Sequence, residues 1–155
     1  MMSTPSLVLD FTQPAASVML AQINFDNGTT VTGDQIRFGQ VAELPDDDPS
    51  GKNTLVFVAA LQGASFEGQE YFRYDRIDIS TVPGTRSTLF SRSQALTVSD
   101  IVGMINQRLS LNLTQADIVD GDLPIPVADQ AVPFTLTMAP DSLLWRGSVA
   151  LSMAN

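Results

Sequence analysis

The stretch INQRLSLNLTQADIVDG, residues 105–121, has a counterpart in INFDNGTTVTGDQIRFG, residues 23–39. Laid over one another without a gap at a shift of 82 residues, Ile23 over Ile105, the two agree at Asn24/Asn106, Thr32/Thr114, Ile36/Ile118 and Gly39/Gly121. Apolar character also agrees at Leu20/Val102, Val31/Leu113 and Val41/Leu123, and the same shift pairs Leu7 with Leu89 and Ser17 with Ser99. Further on, FEG (66–68) falls under WRG (145–147) at a shift of 79, so the first copy is 3 residues longer, with PDDDPSGK (45–52) the natural place for the difference. Identities at a few positions arise easily by chance. The weight of the alignment lies in each aligned position having the same physical use twice.

Each copy opens on an extended stretch, SLVLDF (6–11) or TLFSRS (88–93), and continues into a helix. In the second copy Thr97 is a cap with Asp100 at the third helical position, and Ile101, Met104, Ile105 and Arg108 follow at helical spacing. The counterpart helix runs from about Pro14 to Phe25, with Asn27-Gly28 as a left-handed stop. LSLNLT (109–114) alternates Leu109, Leu111 and Leu113 as a short half-buried strand does. TQAD (114–117) and TGDQ (32–35) carry the capping-box pattern, so one helical turn is expected at each, ended by Gly121 or Gly39.

Each copy closes on a β-hairpin. PFTLTM (133–138) and SVALSM (148–153) alternate cleanly around the turn chemistry of APDS (139–142); TLVFVAAL (54–61) and EYFRYDRIDI (70–79) play the same part earlier. In the last of these, parity flips near Asp75, so a β-bulge is expected to bring Phe72, Tyr74, Ile77 and Ile79 onto one face. Pro83-Gly84 marks the join, and Trp145, aligned with Phe66, is expected to anchor the hairpin on the helices. The fold class read from this is α+β, a tandem duplication of a small helix-plus-β-hairpin unit with repeats at 3–84 and 85–155. Halves of about 70 to 80 residues are marginal alone, so the two are expected to pack with pseudo-two-fold symmetry into one compact body.

The 155 residues carry 17 Asp and Glu against 8 Lys and Arg, a net charge of −9, with neither Cys nor His. Such a field repels phosphate backbones and anionic membranes, so neither nucleic acid nor membrane is expected as a partner. Without Cys and His there are no disulfides, thiolate nucleophiles, usual zinc sites or imidazole bases. No apolar run approaches the ~20 residues of a membrane helix, and MMSTPSLVLDF has neither a basic leader nor an apolar core of a signal peptide, so export by that route is not expected.

No P-loop, G-x-S-x-G or dinucleotide fingerprint occurs. Asp46, Asp47 and Asp48 form the densest charge cluster, but calcium loops alternate their ligands along the chain and close on a Glu, so a solvated loop is expected, and a plausible contact for a neighbouring subunit. Asp117, Asp120 and Asp122 surround Gly121, yet Asp117 is already used as a cap and the first copy has Gln35, Phe38 and Gln40 there. The sequons NGT (27–29) and NLT (112–114) are read as turn and cap residues. Tyr71, Arg73, Tyr74 and Arg76 combine aromatics with two of the chain's 8 cations, a composition favoured at interaction hot spots, and ordinary cross-strand packing is the competing reading. No cofactor, metal or catalytic residue is expected.

The module LTVSDIVGMINQRLSLNLTQADIVDGDLP (96–124), with its IN helix, LTxxDI turn and DGxLP exit, resembles a segment of uncharacterised structural proteins of large tailed bacteriophages; residues 14–41 resemble it less, with Gln35 in place of the Asp. The resemblance implies a non-enzymatic virion protein, on the capsid as a decoration or minor capsid component or at the capsid-to-tail joint. It implies assembly in the host cytoplasm, and other virion proteins as partners in a homo- or hetero-oligomer. A host-surface or glycan-binding adaptor and a carboxylate-based hydrolase are the alternatives.

Overall fold

The computed structural model describes residues 7–61 and 68–155, and its fold is α+β, with two α-helices and several small sheets. The chain divides into two units, Met1–Asp75 and Arg76–Asn155. Phe66 and Glu67, part of the FEG alignment, lie outside the described residues.

In the first unit α1 spans Ala15–Asn27 and ends at Gly28, whose φ of 63° is the left-handed stop expected there. It buries Val18, Met19, Leu20 and Ile23. Three antiparallel strands follow in the order β1 (Ile36–Glu43), β2 (Thr54–Ala60), β3 (Gln69–Tyr74). Strand alternation sends Val56, Val58 and Tyr74 into the core with Ile36, each burial contributing about 1.5 to 3 kcal/mol. The helical turn expected at TGDQ is present as a tight turn, with Gln35 N–H on Thr32 O at 3.1 Å and Thr32 N–H on Gln35 Oε1 at 3.2 Å.

Gly39 does not end that turn. It lies inside β1, in a bulge between Phe38 and Val41 where the register to β2 shifts. The expected bulge near Asp75 is likewise absent: β3 stops at Tyr74, Asp75 Oδ1 accepts Asn53 N–H at 3.1 Å, and Ile77 opens a strand of a different sheet.

In the second unit β4 (Ile77–Asp78) pairs in parallel with β7 (Trp145–Arg146), joining Ile77 to Trp145. Pro83-Gly84 makes the expected turn, closed by Arg86 N–H on Pro83 O at 2.8 Å. A second sheet has the order β5 (Leu89–Ser91), β8 (Ser148–Ala154), β6 (Val132–Thr137), with β8 antiparallel to β6 and parallel to β5. The helix α2, Val98–Leu109, starts on the expected Thr97/Asp100 capping box, and a 3-10 turn at Gln115–Asp117 starts on the Thr114/Asp117 box. Ile101, Ile105, Leu109, Leu136, Leu144, Trp145, Leu151 and Met153 form the core.

LSLNLT is not a strand. Leu109 ends α2, Ser110 takes the left-handed cap at φ 57°, and Leu111 and Leu113 drop into the core from an irregular segment. That segment is held by Asn106, whose Nδ2 donates to Leu113 O at 3.0 Å and whose Oδ1 accepts Leu113 N–H at 2.8 Å. In the first unit Asn24 treats Val31 in the same way, at 2.8 and 3.0 Å.

Candidate interaction surface

Period-two alternation sends alternate residues of the first sheet away from its core. Ala42 and Leu55 are register partners on that outer face, and so are Leu55 and Arg73, and Phe57 and Tyr71. The Phe57 and Tyr71 rings meet edge to face, centroids 5.3 Å apart at 60°, the arrangement that aromatic quadrupoles favour. Gly39 makes room for this pair, since a Cβ there would sit 2.8 Å from Phe57 Cδ1. Gln40, Ala42, Leu55, Phe57 and Tyr71 line a shallow depression of about 390 Å³, and Tyr71 stays 58% exposed.

Around the hairpin edge Tyr71 and Arg73 also border a polar hollow of about 330 Å³, with Asp26, Asn27, Ser50 and Lys52. Lys52 Nζ lies 3.1 Å from Asp26 Oδ2 and 3.7 Å from Asp75 Oδ2. Its hydrogen bond to Asp26, with the charge of both carboxylates, raises the ammonium pKa above the ordinary value.

Of the three aspartates of the acidic loop, Asp48 is the one that reaches this surface. Asp48 accepts from the Ser50 hydroxyl, and from Ser50 N–H at 3.0 Å, which hold its carboxyl below the ordinary range; Arg73 Nε stands 3.8 Å away. Asp46 and Asp47 are exposed in the turn before it.

Of the residues expected to contact a partner, Tyr71, Arg73 and Asp48 thus come together. Tyr74 and Arg76 do not. Tyr74 is wholly buried in the first unit's core, and Arg76 is buried in the second, its NH1 donating to Pro140 O at 2.8 Å and Ser142 O at 3.3 Å. Their place among the surface contacts is corrected accordingly: a guanidinium enclosed by its own unit's carbonyls and a tyrosine in the core cannot meet a partner. Phe57, Leu55 and Lys52, which belong to the surface, were not singled out by the sequence.

The sequence profile of a family of unknown function, DUF7941, matches residues 9–155. The chain belongs to DUF7941. No curated protein and no solved structure matches it.

Elsewhere in this DUF7941 chain the conspicuous carboxylates serve the backbone. Asp117 is buried and accepts Thr114 N–H at 3.0 Å and Ser142 Oγ–H at 2.7 Å. Asp120 Oδ1 accepts Ser99 N–H at 3.0 Å and Gly121 N–H at 2.9 Å, and the bond from Ser99 is the main cause of its lowered pKa. Asp122 is exposed beside them, its backbone bridged to Thr97. Among the described residues no three His, Cys, Asp or Glu converge as metal ligands would, and no helix is long and apolar enough to cross a membrane.

Proposed function

We propose that this chain is a non-enzymatic structural subunit of a bacteriophage particle, acting as a capsid decoration or minor capsid protein or at the capsid-to-tail joint, and assembled in the host cytoplasm with other virion proteins. The observation that carries the interaction role is the outer face of the first sheet. There an exposed Tyr71 backed by Phe57, with Leu55 beside it and Arg73 at its edge, forms the anchor-and-rim pattern of a protein contact. The particle setting comes from the resemblance of residues 96–124 to phage structural proteins. The commitment of Asp117 and Asp120 to caps supports a non-catalytic role.

We also read the two units as tandem copies of one module related by a pseudo-two-fold axis. Support comes from the amide clamps at Asn24 and Asn106 and from the hairpin registers, where Thr54↔Tyr74 through Ala59↔Gln69 correspond to Val132↔Met153 through Thr137↔Ser148. Two similar modules on one chain suit contacts with two quasi-equivalent neighbours in a symmetric shell.

Peptide counting in particles purified from an infection that produces the chain tests the reading. Hundreds of copies place it on the shell, a small multiple of three or six at the neck or tail, and absence from the particle overturns the proposal. The exposed Tyr71 bordering a hollow with Asp26, Asn27 and Lys52 favours glycan binding as a second reading, because sugars stack on aromatics beside polar groups. Thermal stabilisation by a host glycan supports that alternative.

A further inference from the structure

Strand register sorts the charges of the first sheet by face. Its three strands carry two cations, Arg37 and Arg73, and two carboxylates, Glu43 and Glu70. Arg37 stands in one row with Ala59 and Gln69, and Arg73 in one row with Leu55 and Ala42, on the outer face that also holds Phe57 and Tyr71. Glu43 lies opposite Thr54, and Glu70 opposite Val58, both of which are buried, so the carboxylates belong to the inner side. The strands therefore present cations and no carboxylate on the outer face, in a unit that has ten Asp and Glu against three Lys and Arg.

Both guanidinium groups are available. Arg37 is exposed, and its side chain makes no hydrogen bond or ion pair among the described residues. Arg73 is exposed as well and meets Asp48 through Nε at 3.8 Å, too long for a hydrogen bond, so its terminal nitrogens keep their donors. Lys52, the third cation, is held between Asp26 and Asp75 instead. From Arg37 to Arg73 is two strand spacings of about 4.8 Å and four residue rises of about 3.3 Å, a diagonal of about 16 Å. Its midpoint is Phe57, in the floor of the shallow depression beside Tyr71.

We propose that this face receives an extended acidic segment of another protein, with two carboxylates about five residues apart and an apolar side chain between them. This rests on reading the face as a protein contact, and it names the chemistry of the partner. The carboxylates pair with the guanidinium forks of Arg37 and Arg73, and the apolar side chain covers the Phe57–Tyr71 pair. A second copy of the chain fits poorly: each copy carries a net charge of −9, and Asp46 to Asp48 span about 7 Å, less than half of the diagonal. A single-stranded nucleic acid would stack on Tyr71, but it brings a phosphate with every nucleotide against an acidic unit, whereas the segment brings two charges to two cations.

Fluorescence anisotropy of labelled probes on the intact chain tests this. The probes are a serine- and threonine-rich peptide with a leucine midway between two glutamates about five residues apart, a version with the glutamates adjacent, a diglutamine version and an oligothymidylate. The spaced diglutamate is expected to bind about tenfold more tightly than any other probe. R37Q and R73Q, each folded by circular dichroism, should weaken it about tenfold, the equivalent of one charge-assisted contact, while E70Q on the inner side does not weaken it. Binding of no peptide, equal binding of all three, indifference to R37Q, or tighter binding of the oligothymidylate would each overturn the proposal. The outcome is separable from the virion reading: a chain absent from particles leaves the peptide result standing, and equal incorporation of R37Q and wild type in particles overturns the acidic partner while sparing the virion role.

Discussion

The side-chain amide of Asn106 closes both hydrogen bonds of the Leu113 peptide, seven residues on, replacing the strand neighbour that this segment lacks. Leu113 is buried, so without Asn106 its N–H and C=O lose their partners out of reach of water, whereas Val31, clamped by Asn24, is half-exposed. An unpaired buried polar group costs about 1 to 3 kcal/mol, against roughly 1 kcal/mol for a bond that water replaces. With two bonds in each clamp, Asn106→Ala is therefore expected to lower stability by about 2 to 6 kcal/mol and Asn24→Ala by about 2 kcal/mol, at the bottom of that range. Urea unfolding of the two variants measures the difference; equal effects would mean that burial of the clamped peptide does not set its strength.

Gly39 and Phe57 form a steric pair. Gly39 has no positive φ to strain an alanine, so the close approach to Phe57 is the reason for glycine there. Gly39→Ala is expected to cost about 1 to 3 kcal/mol by overpacking. In a Phe57→Ala background most of that cost disappears, and a double-mutant cycle reads the coupling. A penalty that persists without the ring would place the constraint in the backbone bulge.

Acid should loosen the second unit through its caps. Backbone N–H groups of Leu96 and Thr97 hold the Asp100 pKa below its ordinary 3.8, and Ser99 does the same for Asp120. A carboxyl whose folded pKa is depressed adds stability that is present above the unfolded pKa and lost as pH falls through the folded one. The urea midpoint should therefore be level from neutrality to about pH 5 and fall below about pH 4. The double variant D100N/D120N should show a lower midpoint at neutral pH and a shallower acid decline; an unchanged decline would assign acid loss to other carboxyls.

The helices were legible in the sequence because their signals are local. Thr97/Asp100, Thr114/Asp117 and Gly28 act within a turn of where they stand, and the clean alternation of SVALSM needs no partner to be read. The strand β1 was not legible, because Gly39 and Gln40 both fall opposite Phe57 and break the parity of IRFGQVAE. LSLNLT misled for the opposite reason: its alternating leucines come from a helix end followed by a loop whose pairing is made by a distant Asn106 side chain. Tyr71 and Tyr74 were grouped by composition, but three positions apart on a strand they face opposite ways, and parity alone separates the exposed Tyr71 and Arg73 from the buried Tyr74. The burial of Arg76 rests on carbonyls 64 and 66 residues away, which no local pattern announces.

If the Tyr71/Arg73 face docks this chain into a particle, as proposed, weakening that face must lower its incorporation. Wild type and a Y71A/R73A variant of matched melting temperature, supplied together during infection, can be weighed against each other by isotope-labelled peptide counting in purified particles. Loss of one hot-spot residue worth about 1.4 kcal/mol gives roughly tenfold discrimination, so the variant should be depleted in the particles by that factor or more. Equal incorporation of the two, or the presence of neither, would contradict the claim.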